Sequence, residues 1–558
     1  MIFSVKCRTA WLLLLILYAT SEWASASTIR RPAKNRGAHA GETSKGQRLS
    51  AHGKSLLDFI IDGATLPDLD RPSFADLKGE TREFYDLLPD SLAWISHSKP
   101  TSQALAMIHL LKIADDKGLN AEDYEGPWWD SRLARLEQPD PLREAHLVMF
   151  DVALTVSVMR YISDLSAGRV SPRSFPFELD VHGRKIDLSE FLKGFANRSD
   201  LGSRVQAVEP TFPVYRRMIL ALQKYRKLAR EDDGESLPAA GNIIQPGDSY
   251  AGVPRLFRLL RLLGDLPPGA TAPSSTVYEG TLPGAVKHFQ ERHGIESTGL
   301  IDKETLNALN IPITHRVAQL GLTLERWRWV PHEFVRTPIV VNIPEFQLRA
   351  NDEKYPWVLS MKAVVGKAYG LKAPVFASEI RSIIFRPYSN VPRGIQCEEN
   401  PAHVAENSYD IVDSNGIVVG EDPRTDEVTE KLRSLGLVKF DFPNQFDICM
   451  HGTPSTELFS KSRRDLSLGC MRVEDPVSLA QWVLRDRPEW TAENIRRAMY
   501  SETTVRVALL KPIPVLIVYG TAVVMEDGQV HFFEDIYGHD AALERALAPD
   551  FRGINRRQ

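Results

Sequence analysis

The sequence predicts an α+β multidomain protein in which a mostly β domain follows an all-helical scaffold and a small helical module. Three observations predict it. At 558 residues the chain exceeds what one hydrophobic core organises. From about Leu56 to Pro246 the apolar residues recur at helical spacing, whereas past Pro338 they gather in short runs bounded by Gly, Pro and Asn. Between the two regimes lies a turn-rich stretch, Gly264 to Ser275, containing Pro267-Pro268-Gly269. With 43% apolar and 25% charged residues the composition is that of a soluble globular protein, and a net charge of −4 gives no sign of a nucleic-acid partner.

Lys6 and Arg8 precede the apolar run Ala10 to Ala19, and Ala24-Ser25-Ala26 then offers a small-residue cleavage site. Residues 1–26 therefore read as a secretory signal peptide, its apolar core too short for a comfortable membrane span; an uncleaved anchor is the rival reading. The mature protein is expected to be exported, with no stable membrane span after cleavage. Cys7 lies before the apolar run, not where a lipoprotein cysteine stands. Residues 27–55 carry Arg30, Arg31, Lys34, Arg36, Lys45 and Arg48 with almost no large apolar side chains, so a disordered basic tail is expected. It is either a solvated linker or a weak attractor of anionic envelope polymers.

Residues 56–246 form the expected helical scaffold. Pro100-Thr101-Ser102 opens a helix with Met107, Leu110, Leu111 and Ala114 on one face, and Gly118 closes it. Leu147 to Ile162 is apolar almost all round apart from Asp151 and Arg160, which fits a buried core helix better than a bilayer span. Neither an acid pair nor a metal-spaced cluster emerges there. Residues 277–310 read as a compact helical unit, with Thr298-Gly299 as a turn and Asp302 as an N-cap. Residues 311–335 supply a connecting helix whose Val317, Leu320, Leu324 and Trp327 favour core packing over a ligand platform. Residues 339–540 form the β domain. Strands are expected at Ile339 to Ile343, Phe346 to Ala350, Trp357 to Val365, Glu379 to Phe385 and Val438 to Phe442. Val515 to Met525 and Gln529 to Phe533 flank the hairpin signal Glu526-Asp527-Gly528.

The chemistry gathers near the C-terminal end. His451-Gly452-Thr453-Pro454 is followed by Ser467-Leu468-Gly469-Cys470-Met471-Arg472. A thiol becomes a useful nucleophile when an imidazole takes its proton and backbone N–H groups stabilise the resulting oxyanion. Export leaves Cys397, Cys449 and Cys470, an odd and sparse set for an oxidising compartment, so at least one thiol stays free. Cys470 has the better claim. Cys449, flanked by Phe446, Ile448 and Met450, reads as a core strand position, and Cys397 has no clear role. Gly469 lets the backbone approach a substrate, and the N–H groups around Leu468 to Cys470 are oxyanion donors. His451 follows the strand-like stretch Phe446 to Met450. Arg472 would bind a substrate carboxylate or brace the loop, while Arg463 and Arg464 read as solvated surface charge. No metal site is expected, because one thiol and one imidazole are too few ligands for zinc.

These residues resemble the L,D-transpeptidase family with its YkuD-type catalytic domain, whose motif reads H-G-T followed downstream by S-x-G-C-x-R. Further matching segments are Ile339 to Pro344, Val364 to Lys367, Pro374 to Phe376, Asn390-Val391-Pro392, Gly436 to Phe440, Phe442 to Asn444 and Asp535 to Gly538. Upstream, Ala285-Val286-Lys287-His288-Phe289-Gln290, Thr298-Gly299 and Asp302 to Asn310 are similar to a peptidoglycan-binding module. The whole arrangement looks like the large periplasmic members, which implies a cell-envelope location.

The resemblance implies Cys470 as nucleophile, His451 as general base and the Gly452 backbone carbonyl as third member. Ser467, Leu468, Gly469, Arg472 and Asn390 would form the substrate and oxyanion surroundings. Leu468 stands where many members carry histidine, and Ser389 where an aromatic is common before Asn-Val-Pro. Residues 395–428 would be a lid-like insertion. The implied reaction is peptidoglycan 3→3 cross-linking through a cysteinyl thioester, with release of D-alanine, no cofactor, and acylation by carbapenems. Donor and acceptor stem peptides are the implied partners, with other cell-wall synthases as further candidates. The same site acting with water, a free D-amino acid or an envelope protein would give carboxypeptidase, exchange or wall-attachment activity. A non-catalytic wall-binding scaffold and a conventional cysteine protease are the readings from other classes.

Overall fold

The computed structural model describes residues 46–548 apart from 89, 176, 180–185, 196–200, 332–333, 335, 353–354, 368–371, 388–435 and 468. The signal-peptide segment, Cys397, Ser389, Asn390, the expected lid and Leu468 thus lie outside the described residues. The basic tail expected to reach residue 55 ends sooner. Ser50 Oγ accepts from Gly53 N at 3.1 Å and caps the helix Ala51–Gly63, and Gln47 N donates to Ile95 O at 2.9 Å. Leu57, Ile60 and Ile61 repeat at helical spacing and are buried, so the apolar face that begins there draws the preceding turn into order.

The scaffold core is built mainly from helices, with the short strand pair Ile95–Ser96 and Lys99–Pro100 beside them. Thr101 caps the helix Ser102–Lys112, and Met107 and Leu111 are fully buried. Ala114 falls beyond that helix in a tighter turn closed by Gly118 at φ +70°. The helix Arg143–Ala167 runs through the scaffold core. It is long and apolar enough to cross a membrane by composition, and its length lies among buried neighbours. Its buried Asp151 accepts hydrogen bonds from Tyr85 Oη at 2.7 Å, Trp94 N at 2.7 Å and Ala93 N at 3.0 Å, which explains how a carboxylate survives in such a helix.

A second core holds the helices Val253–Leu263, Leu282–Glu291 and Lys303–Leu309. Gln290 organises it. Its Nε2 donates to Leu300 O at 2.8 Å and Thr305 Oγ1 at 2.9 Å, while its Oε1 accepts from Gly299 N at 2.8 Å. Asp302 caps the last helix, accepting from Thr305 N at 2.8 Å. The helix Ile313–Trp329 then leads to the β domain, burying Leu320 and Leu324 in this core and Trp329 in the next.

Nine strands of the β domain are numbered in chain order: β1 (Ile339–Asn342), β2 (Gln347–Asp352), β3 (Tyr355–Gly366), β4 (Val375–Phe385), β5 (Val438–Asp441), β6 (Met450–His451), β7 (Asp465–Ser467), β8 (Met471–Val473) and β9 (Val505–Val518). They pair in the order β3-β8-β6-β5-β4-β9-β1-β2, and β2 returns to β3. Ala363 N donates to Phe346 O at 2.8 Å, while Glu474 N donates to Lys362 O at 3.1 Å. Successive residues of β3 therefore bond to opposite edges, and the ring closes. The strand β7 extends β3 beyond the ring. Inside pack Val341, Ile383, Phe385, Phe440 and Val515, with the helix Pro476–Val483 contributing Trp482.

Two sequence expectations change here. Val515 to Met525 is not one strand: β9 ends at Val518, and its first half, from Val505, is a strand that the sequence pattern did not reveal. The expected hairpin forms from Ala522–Val524 and Val530–Phe532, but its apolar face packs in the core of the helical module rather than in the barrel. The break has a physical cause. Asn342 Nδ2 donates to Gly520 O at 2.9 Å, and Asn342 Oδ1 accepts from Gly520 N at 2.8 Å, so a side chain takes both backbone groups that a strand would use.

Candidate active site

The two halves of the chemical motif meet on β6 and β8, which run parallel with Met450 opposite Met471 and His451 opposite Arg472. Met471 N donates to Cys449 O at 2.9 Å. The same register, followed one residue back, sets Cys449 beside Cys470, and their sulfurs lie 3.0 Å apart. The loop before β6 is shaped by Asn444. Its Oδ1 accepts from Phe446 N at 3.1 Å and Ile448 N at 3.0 Å, and its Nδ2 donates to Phe442 O and Ile448 O.

His451 is buried, and its Nδ1 lies 2.5 Å from Gly452 O. A carbonyl only accepts, so Nδ1 carries the proton and the lone pair is left on Nε2. The donor atoms of Cys449, His451 and Cys470 all lie within 4.8 Å of one another. Gly452 is held from two sides. Its N–H donates to Val438 O at 3.0 Å, and Gly436 packs so closely that a Cβ there would sit 2.5 Å from Gly452 C and 2.7 Å from its oxygen.

Gly469 adopts φ +118°, a conformation that side-chain-bearing residues resist, and a Cβ on it would meet Ile448 Cδ1 at 3.2 Å. Ser467 ends β7 buried, its carbonyl accepting from Lys367 N at 2.9 Å. Arg472 sits on β8 between His451 and Val364. The structure thus brings together Cys470, His451, Gly452, Ser467, Gly469 and Arg472.

The Cys470 thiol is lowered to about 7. The largest cause is the hydrogen bond from Cys449; burial opposes it, and the Cys449 N–H at 3.3 Å with the charges of Lys439 and Arg472 adds to the lowering. The bond to Cys470, burial and the neighbouring negative sulfur push the Cys449 thiol well above its ordinary value. The Cys449 N–H donates to the Cys470 sulfur while the Cys449 thiol is raised, so Cys470 is the member of the pair that ionises first.

Cys449 is what sequence reasoning missed. Its sulfur faces Cys470 instead of filling the barrel core, and it raises the soft donors at this point from two to three, one short of a closed structural zinc site. The signal was present in the sequence: on a strand, residues 449 and 451 share a face. Arg464 also departs from expectation. It is buried, donating to Lys461 O at 2.6 Å, Phe346 O at 3.1 Å and Ala363 O at 3.3 Å, and so it ties β7 to the barrel rather than solvating a surface. Arg463 stays at the surface, paired with Asp465 and Glu534.

Residues 336–524 match the model of the L,D-transpeptidase catalytic domain. This chain carries an L,D-transpeptidase catalytic domain. Residues 250–309 match the model described as "Putative peptidoglycan binding domain", and residues 79–222 one described as "Scaffold domain". The binding-domain match begins at the helix Val253–Leu263, ahead of the 277–310 segment that carried the sequence resemblance. A curated protein of Haemophilus influenzae named "Putative L,D-transpeptidase" is 28% identical over 248 residues, covering 41% of this chain. The match spans about half of that relative's length, 49%. Within the matched residues, His451 ends β6 and Cys470 immediately precedes β8, the two adjacent parallel strands of the closed barrel.

Proposed function

We propose that this protein is a peptidoglycan L,D-transpeptidase of the cell envelope that forms 3→3 cross-links through a thioester on Cys470. The observation that carries the reading is the Nδ1–Gly452 carbonyl bond, which fixes the tautomer of His451 so that Nε2 can take a thiol proton within the same cluster. The Cys470 thiolate attacks the carbonyl of the L-centred third residue of a tetrapeptide stem, meso-diaminopimelate. The Cys470 N–H, which follows the left-handed turn at Gly469, stabilises the oxyanion. His451 returns its proton to the departing D-alanine amine. The side-chain amine of a second stem then attacks the thioester, His451 takes the amine proton, and Cys470 is freed. Arg472 favours the thiolate through its charge and offers a partner for a stem carboxylate.

The helical module over residues 250–309 supports placement of the barrel on its polymer substrate. Purified protein incubated with tetrapeptide muropeptides tests the reading, with products separated by mass. A 3→3 dimer from wild type and none from Cys470→Ala is expected. Tripeptide alone would assign the site to carboxypeptidase chemistry, an exchanged C-terminal residue to D-amino-acid exchange. Absence of every Cys470-dependent product would sink the proposal.

A further inference from the structure

Besides lowering the Cys470 thiol, Cys449 has a chemistry of its own. Both thiols are unpaired, and their sulfurs, at 3.0 Å, are nearer than two non-bonded sulfurs normally rest. Cys449 and Cys470 are the residues just before β6 and β8, where Met471 N donates to Cys449 O at 2.9 Å, and parallel neighbours of this kind stand about 4.7–4.9 Å apart. That spacing falls inside the window of roughly 4.4–6.8 Å between Cα atoms that a disulfide spans without backbone movement. The cysteines also differ in access. Cys470 is partly exposed, whereas Cys449 is buried behind it. A reagent from solution therefore meets Cys470 first, and Cys449 is placed to resolve whatever forms there.

We propose that Cys449 and Cys470 are a modification site that closes to a reversible intrachain disulfide by exchange with a disulfide donor, removing the reactive thiol from the transpeptidase site. The Cys470 thiolate attacks one sulfur of the donor and expels the other half as a thiolate, leaving a mixed disulfide on Cys470. The Cys449 thiol loses its proton to solvent and its sulfur attacks Cys470 Sγ. The Cys449–Cys470 bond forms and the second half of the donor leaves as a thiolate. The protein loses two electrons, and the donor is reduced to two thiols. A thiol reductant reverses both steps. The Cys470 thiol, lowered to about 7, favours the first attack near neutral pH. The loss of activity rests on the proposed role of Cys470; the disulfide itself does not.

Full-chain protein held in graded mixtures of reduced and oxidised glutathione tests this. Free thiols are trapped by alkylation in acid, and the digest is mapped by mass spectrometry. Wild type is expected to give a peptide linking Cys449 to Cys470 and lacking glutathione. Cys449→Ala is expected to stop at a glutathione adduct on Cys470. Formation of dimeric muropeptide should fall in proportion to the cross-linked fraction and return with dithiothreitol. A stable glutathione adduct on Cys470 of wild type, or a bond to Cys397 instead, would overturn the proposal. A Cys449–Cys470 bond in a protein whose reduced form makes no Cys470-dependent product would keep the disulfide and overturn the transpeptidase reading.

Discussion

At the scale of single residues, the site depends on which sulfur carries the charge. Cys470 accepts a hydrogen bond from the Cys449 N–H at 3.3 Å, has the Cys449 sulfur 3.0 Å from its own, and stands two positions before Arg472. Removing the S–H by Cys449→Ala is expected to move the midpoint of Cys470 alkylation from about 7 upward. At the ordinary thiol value, about 8.5, the thiolate fraction at pH 7 would be roughly fifteenfold lower. Iodoacetamide labelling of Cys470 across pH measures it, and an unchanged midpoint would show that Cys449 does not hold the thiolate. The pairing of Cys470 with His451 was legible in the sequence because both lie in short, polar, glycine-punctuated segments. Cys449 was not, because its apolar neighbours made it look like core and its partner lies on another strand.

At the scale of elements, the barrel positions the chemistry by backbone contacts between β5, β6 and β8. Gly436 adopts φ +64° just before β5 and lies against the Gly452 backbone that holds His451. The contacts are to backbone, so the neighbour cannot swing aside. Gly436→Ala is expected to cost about 1 kcal/mol from its left-handed conformation alone. It should also displace the Gly452 carbonyl, lowering turnover more than stability; thermal unfolding and muropeptide assays on one preparation compare the two. A variant with wild-type turnover would show that the carbonyl position is not critical. Strands with alternating or continuous apolar runs, β1 to β5, were visible from residue pattern alone. The first half of β9 was not, because Arg506 interrupts the apolar run where the strand pairs with β4, and Lys511 and Pro512 fall in the irregularity between Ala508 and Ile513.

At the scale of the whole molecule, the helix Ile313–Trp329 joins scaffold, module and barrel through buried charge. Arg328 donates to Glu325 at 3.1 Å, to Tyr215 Oη at 3.2 Å and to the Lys117 carbonyl, while Glu325 accepts from Val170 N at 3.2 Å and from Arg169 N. Next to it Arg326 pairs with Asp540 at 2.5 Å. Deleting one partner strands a buried carboxylate, so Arg328→Ala is expected to destabilise the chain by about 3–5 kcal/mol. A denaturant titration checks it, and a loss below about 1 kcal/mol would mean that the pair is not what couples the parts. The domain order was legible because composition shifts along the chain. The docking was not: the hairpin of Ala522–Val524 and Val530–Phe532 meets helices more than 200 residues away, and no local pattern encodes that.

The central claim is that Cys470 forms the acyl bond, and intact-protein mass after mixing reduced enzyme with a tetrapeptide donor tests it most directly. The predicted result is a protein heavier by the donor less D-alanine, with the addition mapped to Cys470, absent in Cys470→Ala and reversed by an acceptor amine. An adduct elsewhere, or release of D-alanine at the wild-type rate by Cys470→Ala, would contradict it.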